Sequence, residues 1–556
     1  MGIVVDLKQH KLWAIYERHI LRLGPILSAM SAAGMPLDEG ERKDFAKDLH
    51  QQLKSIDEQI QQVIPPSLVP VSPPQGYVRR PASTEGLTEV LFDRQVKKVC
   101  SSCGQENPKK PHFKIFKRKE NPCGGSTLRE VVSGVSRWAK ILPFVPSPKG
   151  ILTYAHFHRH SVPTGKASKG ARKETTDEKA LLTLARKYPT DLLYPLLLKR
   201  RELDKLRGTY VGHYDSSTGR VVGGFPVGAD GCVHTTFTHT PSTLRLASEN
   251  PNLQNVPRAD TDLGRRFRGC FRAPTGWTFV ARDYTGIEAV LVGVECASGP
   301  LTRLARLGVH DYLNAHLLLA RGVLTVADVP DLRWEDRDLR ECLTQLKRRF
   351  ASTRLAAKQL VHGGNYAETP FKMWFDHPEL FESEAAAAKM RAFYYELFPE
   401  IPQWHERICR QVHQTGYARN AFGYVHRFFK VIPWEKTAKG WEGGRHKRGT
   451  LQGQLVFEDD AKRLIAFGPQ STAAGIIKEA AIRADEMGLL PMLRLIIHDE
   501  LLGMCPTTQA EEILEKLRMV MEAPVEQIPL NPEWKMGSCL SMLTEGKMGE
   551  TWRDLQ

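Results

Sequence analysis

The 556 residues carry 78 Lys and Arg against 63 Asp and Glu, a net charge of +15 with a pI near 9.3, and 41% of them are hydrophobic. Such a composition excludes a largely disordered chain, allows several subdomains around a sizeable core, and favours a polyanionic partner. Runs of roughly 18 apolar residues are absent, as is a secretory leader, Asp6 stands where a myristoylation motif needs Ser or Thr, and ten cysteines lie at irregular spacing. These features predict an intracellular, soluble protein with reduced thiols and no membrane partner.

In chain order, Leu12, Ile15, Ile20, Leu23 and Ile26 recur at helical spacing, and Ala46 to Val63 continues that pattern. Pro65, Pro66, Pro70, Pro73 and Pro74 predict a stiff spacer. Cys100 and Cys103, a third Cys123 and His112 surround a basic run from Lys109 to Lys119. Two readings stand: a structural zinc site, which would ordinarily show a second close cysteine pair, or a solvated basic insertion with free thiols. Residues 154 to 173 read as a basic loop whose His156, His158 and His160 suit phosphate contacts better than a metal. Helices are expected again from Leu181 to Arg201.

Three stretches concentrate chemistry. Between Met492 and Met504, two Leu/Ile-rich runs flank His498, Asp499 and Glu500, which predicts a hairpin with its acids at the turn. Crowding Asp beside Glu is costly unless a cation neutralises them, and Mg²⁺ takes such ligands. A second acid, Asp283, ends the apolar run Thr278 to Ala281, just before an amphipathic helix near Thr285. Two strand-end carboxylates can hold two metal ions ~4 Å apart. Third, Arg354, Lys358 and His362 repeat every four residues and share one helix face. Alone such a face is usually just solvated, although two fixed cations in a row suit a triphosphate, with Leu355, Ala356, Leu360 and Val361 turned to the protein. Gly363 and Gly364 leave that helix free to loosen.

These stretches resemble motifs A, B and C of the family A (DNA polymerase I-like) DNA polymerases, and the string Pro251 to Pro257 is close to a further signature of that family. The resemblance runs from about residue 12 to the end, outside the Cys100 to Cys123 insertion. It implies an α+β, helix-rich right-hand fold: a thumb over 1–225, an antiparallel-sheet palm over 226–300 and 446–556, and helical fingers over 301–445. It also implies two Mg²⁺ ions on Asp283 and Asp499, with Lys358 as the third catalytic residue. The dNTP would meet Arg354, Lys358, His362, Tyr366, Tyr284 and the sugar gate Glu288. Primer and template would meet Arg245, Gln254, Asn255, Gln470, His498, Glu500 and Arg427. His362 and Ala367 depart from the family's usual Phe or Tyr and Gly, Val290 from its Arg and Gly475 from its Asp. The reaction implied is dNTP addition to a primer on a DNA template. No Asp-x-Glu exonuclease signature is present, so intrinsic proofreading is not expected, and a separate exonuclease, helicase or processivity factor would be a partner. A single-subunit RNA polymerase and a catalytically inactive basic scaffold are the competing readings.

Overall fold

The computed structural model describes residues 12–63, 147–166, 172–239, 241, 243–429, 431 and 460–555, with the strand segments 94–100, 113–116, 119–122, 128–135, 433–437, 440–442 and 455–457. The Pro-rich spacer and the side chains of the zinc candidates Cys100, Cys103, His112 and Cys123 lie outside it. Most of residues 438–459 lies outside too, although strands occupy Pro433–Thr437, Gly440–Glu442 and Leu455–Phe457. Among the described residues, no helix is long and apolar enough to cross a membrane.

Contacts divide the chain into two units, one of residues 43–224 and one of residues 1–42 with 225–556. In the first, helices α1 (Pro148–Phe157), α2 (Glu178–Lys187) and α3 (Leu193–Lys205) bury Ile151, Leu181, Leu184 and Leu197. The loop expected from residue 154 is corrected here. Ser147 accepts the Gly150 amide at 3.1 Å, Pro148 opens the first turn, and α1 continues through Phe157. Beyond it, Thr164–Lys166 pairs with Arg172–Glu174. The imidazoles have separate partners: His156 meets Glu174 at 2.9 Å, His158 leans on Tyr154, and His160 stacks on Tyr188 at 3.6 Å between centroids and bonds the Tyr194 hydroxyl.

The second unit is built on a four-stranded antiparallel sheet. The elements that position the site are, in chain order, α4 (Asp262–Gly269), strand β1 (Trp277–Tyr284), α5 (Ile287–Glu295), α6 (Val309–Ala320) and α7 (Ala351–Asn365). They continue with the ribbon β2 (Tyr417–Arg419) and β3 (Val425–Arg427), α8 (Asp460–Glu486), the hairpin β4 (Leu493–Ile497) and β5 (Glu500–Pro506), α9 (Ala510–Met521) and β6 (Thr544–Gly549). The strand order is β4-β5-β1-β6. Phe279, Val280, Leu495, Ile496, Leu501 and Leu502 are all at most 1% exposed, so the sheet's centre is covered on both faces. The acids Asp283, Asp499 and Glu500 stand where those strands end and in the turn between β4 and β5.

Candidate active site

Register places the acids. Asp283 lies opposite Glu500 on β5 and Glu545 on β6. The β4-β5 turn is only His498 and Asp499, tighter than three residues, because Glu500 already pairs with Ile497. His498 takes a left-handed backbone, φ +57°. The Tyr284 amide donates to the Asp499 carbonyl at 3.3 Å, fastening the turn to the end of β1. Gly286, φ +63°, then reverses the chain into α5, a conformation that costs an L side chain strain.

Asp283 opens on the cleft, yet protein crowds its other sides. Its carboxyl is pushed up by desolvation and then by the charge of Glu500; Asp499 is pushed up by desolvation and then by Asp283. Glu500 is pushed up to about 7, chiefly by burial. Carboxyls that raise one another's pKa gain most from a shared cation. The pair suits a hard divalent ion, which takes one or two protein carboxylates and completes its shell with phosphate oxygens. Among the described residues, no cluster of three or more His, Cys, Asp or Glu would hold a metal alone.

The cations come from α7. Lys358 lies within the fields of Asp283, Arg258 and Arg354, and burial and those arginines lower its pKa. Arg354 is aimed by Asp311 on α6, at 2.5 Å, an acid 5% exposed. His310 stands beside them, pushed down to about 3 by burial and by Arg354 and Lys358, so it is neutral here. Its proximity was not legible in the sequence, and neither was the role of Asp311. His362 is exposed on the same face and packs edge-on to Tyr366, 5.2 Å between centroids.

Two details of α7 differ from expectation. Leu355 is 46% exposed, and the buried seam is Ala357, Leu360 and Val361. Gly363 and Gly364 do not loosen the helix: it runs intact to Asn365, and ideal Cβ atoms there would come within 2.6 Å of Met373 and 2.5 Å of the Tyr394 ring. The glycines serve close packing.

Glu288, in the first turn of α5, accepts hydrogen bonds from the Arg245 guanidinium and the Tyr366 hydroxyl. Gln470 on α8 bonds Tyr366 as well. Glu288 is therefore held between the loop of Arg245 and the end of α7. Gln254 donates to the Ile496 carbonyl at 2.8 Å and braces β4, while Asn255 is exposed nearby with its amide capped by Asn252. Arg427 is exposed on β3, opposite Tyr417, outside this cluster. Tyr284 is corrected: side chains alternate along a strand, so beside the cleft-facing Asp283 its ring turns inward, 2% exposed, and donates to the Met521 carbonyl at 2.9 Å. Arg268, unremarked in the sequence, lies within the field of Glu500, donates to the Pro257 carbonyl at 2.8 Å, stacks over Trp552 at 4.5 Å and is pushed down to about 10 by burial.

The family model "DNA polymerase family A" matches residues 139–303 and 343–541, and the chain belongs to that family. It is 28% identical over 403 residues to DNA polymerase I of Treponema pallidum, covering 71% of this chain and 34% of that protein. It is 29% identical over 418 residues to DNA polymerase I of Deinococcus radiodurans, covering 74% and 37%. The chain thus spans about a third of the length of these relatives. A solved structure, the POL domain of Pol1 from M. smegmatis in complex with DNA primer-template and dNTP, covers 99% of this chain and 73% of its own at TM-score 0.60 and 19% identity, a likeness of fold. Members of the family generally use divalent metal ions.

Proposed function

We propose that the protein is a template-directed DNA polymerase that adds dNTPs to a primer 3′-hydroxyl. The observation that carries this reading is the pair of carboxylates, Asp283 at the end of β1 and Asp499 in the β4-β5 turn fastened to it, with the α7 cation Lys358 in the field of Asp283. Asp283 and Asp499 would hold divalent ions, which would supply charge neutralisation for the transferring phosphoryl group. In the reaction the primer hydroxyl gives up its proton to solvent, its oxygen bonds to the α-phosphorus, the bond to the oxygen bridging to the β-phosphate breaks, and pyrophosphate leaves. Arg354 grips the triphosphate with a fork that Asp311 orients. Lys358, its pKa already lowered, donates a proton to the departing pyrophosphate.

Glu288, fixed by Arg245 and Tyr366, fills the space a ribose 2′-hydroxyl would need. Arg245 and Gln470 read minor-groove acceptors common to every correct pair, which checks geometry and not sequence. Primer extension on a primed DNA template with Mg²⁺ tests the reading, with dNTPs in one reaction and rNTPs in another, beside Asp283→Asn. Extension with dNTPs alone, lost in the variant, is expected. Extension with rNTPs would make it an RNA polymerase, and binding without extension a scaffold.

A further inference from the structure

Away from the carboxylates, α4 and the C-terminal turn enclose a cleft of about 350 Å³ lined by Arg265, Arg266, Arg272 and Arg553, with Glu41, Asp262 and Gly269. The sequence builds it by turning one face of α4 inward. Phe267 and Arg268 pack toward Phe271 and Trp552, whose rings meet edge-on at 5.2 Å, and this leaves Arg265 and Arg266 outward and sets Arg553 over Gly269.

Arg265, Arg272 and Arg553 meet their acids only at long range, although Arg265 also donates to the Ala259 carbonyl at 3.2 Å. Arg265 reaches Asp262 at 3.5 Å, Arg272 reaches Glu550 at 3.4 Å and Asp38 at 3.8 Å, and Arg553 reaches Asp554 at 3.6 Å. Good charge-assisted bonds are roughly 2.7–2.9 Å. Two of those acids are engaged elsewhere. Asp38 accepts the amides of Gly40 and Glu41, and Asp554 accepts the amide and hydroxyl of Thr551. By contrast, Arg518 meets Glu515 at 2.5 Å on α9.

We propose that this cleft is a second phosphate-binding site, taking two or more adjacent phosphates, as in a nucleic-acid backbone or a free oligophosphate. Planar guanidinium forks match phosphate oxygens, and the lining has no apolar or aromatic side chain to hold a base or ring. The placement suits a strand: the Arg258 carbonyl packs against the first turn of α4 at Gly264, so one short segment carries Arg258, whose charge is felt by Lys358 and His498, and then Arg265 and Arg266.

The test measures binding by two probes, a fluorescent primer–template duplex by anisotropy across a salt series and sodium tripolyphosphate by calorimetry. The variants are Arg265→Gln/Arg553→Gln and, with the opposite sign, Glu41→Gln. The double variant should bind the duplex about tenfold more weakly at low salt, with a log–log salt slope shallower by up to about two, and Glu41→Gln should bind more tightly. Tripolyphosphate binding lost in the double variant, with duplex binding unchanged, assigns the site to free oligophosphate. Unchanged affinity for both probes in a folded double variant overturns the proposal. Weaker binding by Glu41→Gln overturns it too, and that variant decides alone if the double variant unfolds. No readout uses extension, so failure here is separate from failure of the polymerase reading.

Discussion

The acids and the cations of the site are held in different ways. Asp283 and Asp499 sit where strands end, and their positions follow from pairing register and one backbone hydrogen bond. Arg354 and Lys358 sit on a helix face and owe their aim to side-chain partners, Asp311 above all. A sheet fixes charge through the backbone, so a side-chain change there removes chemistry and leaves geometry. On the helix, neighbouring side chains carry the geometry, so a change beside a cation can disturb aim without removing charge.

The sharpest break falls on the sheet. Asp499→Asn is expected to cut extension by about a thousandfold or more, the scale of losing several kcal/mol of charge stabilisation, while duplex affinity by anisotropy stays within a few-fold. Loss of both together would mean that Asp499 supports the fold. On the helix, Lys358→Ala should lower kcat by roughly a hundredfold, the range of general acid catalysis, with a smaller change in dNTP KM. A change confined to KM would make Lys358 a binding group only.

A third test moves to an acid held by side chains. Glu479 on α8 accepts from His19 at 2.8 Å and from Arg18 at 3.0 Å; burial opposes its charge, but these bonds hold its carboxyl down to about 2 from an ordinary 4.5. His19 is itself pushed down by burial, whereas Arg18 brings a permanent charge. A depressed carboxyl stabilises the fold above its unfolded pKa, and the contribution disappears as pH falls from about 4.5 through about 2. Glu479→Gln should therefore cost about 3 kcal/mol in denaturant melts near pH 7 and little near pH 2. An equal cost at both ends would place the effect in packing. Smallest is Asp311→Asn, which should raise dNTP KM several-fold through a loosened Arg354 with kcat nearly kept; an unchanged KM would show that the fork needs no aiming.

The same contrast explains what could be read from residues alone. The hairpin acids, the strand-end Asp283 and the four-residue repeat of Arg354, Lys358 and His362 are periodic, local signals, and they carried the family resemblance. Side chains placed by tertiary packing left no such signal: Asp311 behind Arg354, His310 beside Lys358, Arg268 within the field of Glu500. Tyr284 was misjudged because a family motif names a residue without saying which way its strand turns it. The helix at Pro148 was missed because the His, Lys and Gly that follow resemble a loop, while the capping signal lies earlier, in Ser147 and Pro148.

On α8, Gly475 leaves space that the Phe422 ring occupies: an ideal Cβ at 475 would stand 2.3 Å from it. The two positions are thus a single packing decision divided between distant parts of the chain. Any side chain at 475 demands a smaller residue at 422, so the pair can drift only by exchange, and a double-mutant cycle of Gly475→Asp with Phe422→Ala should be strongly non-additive.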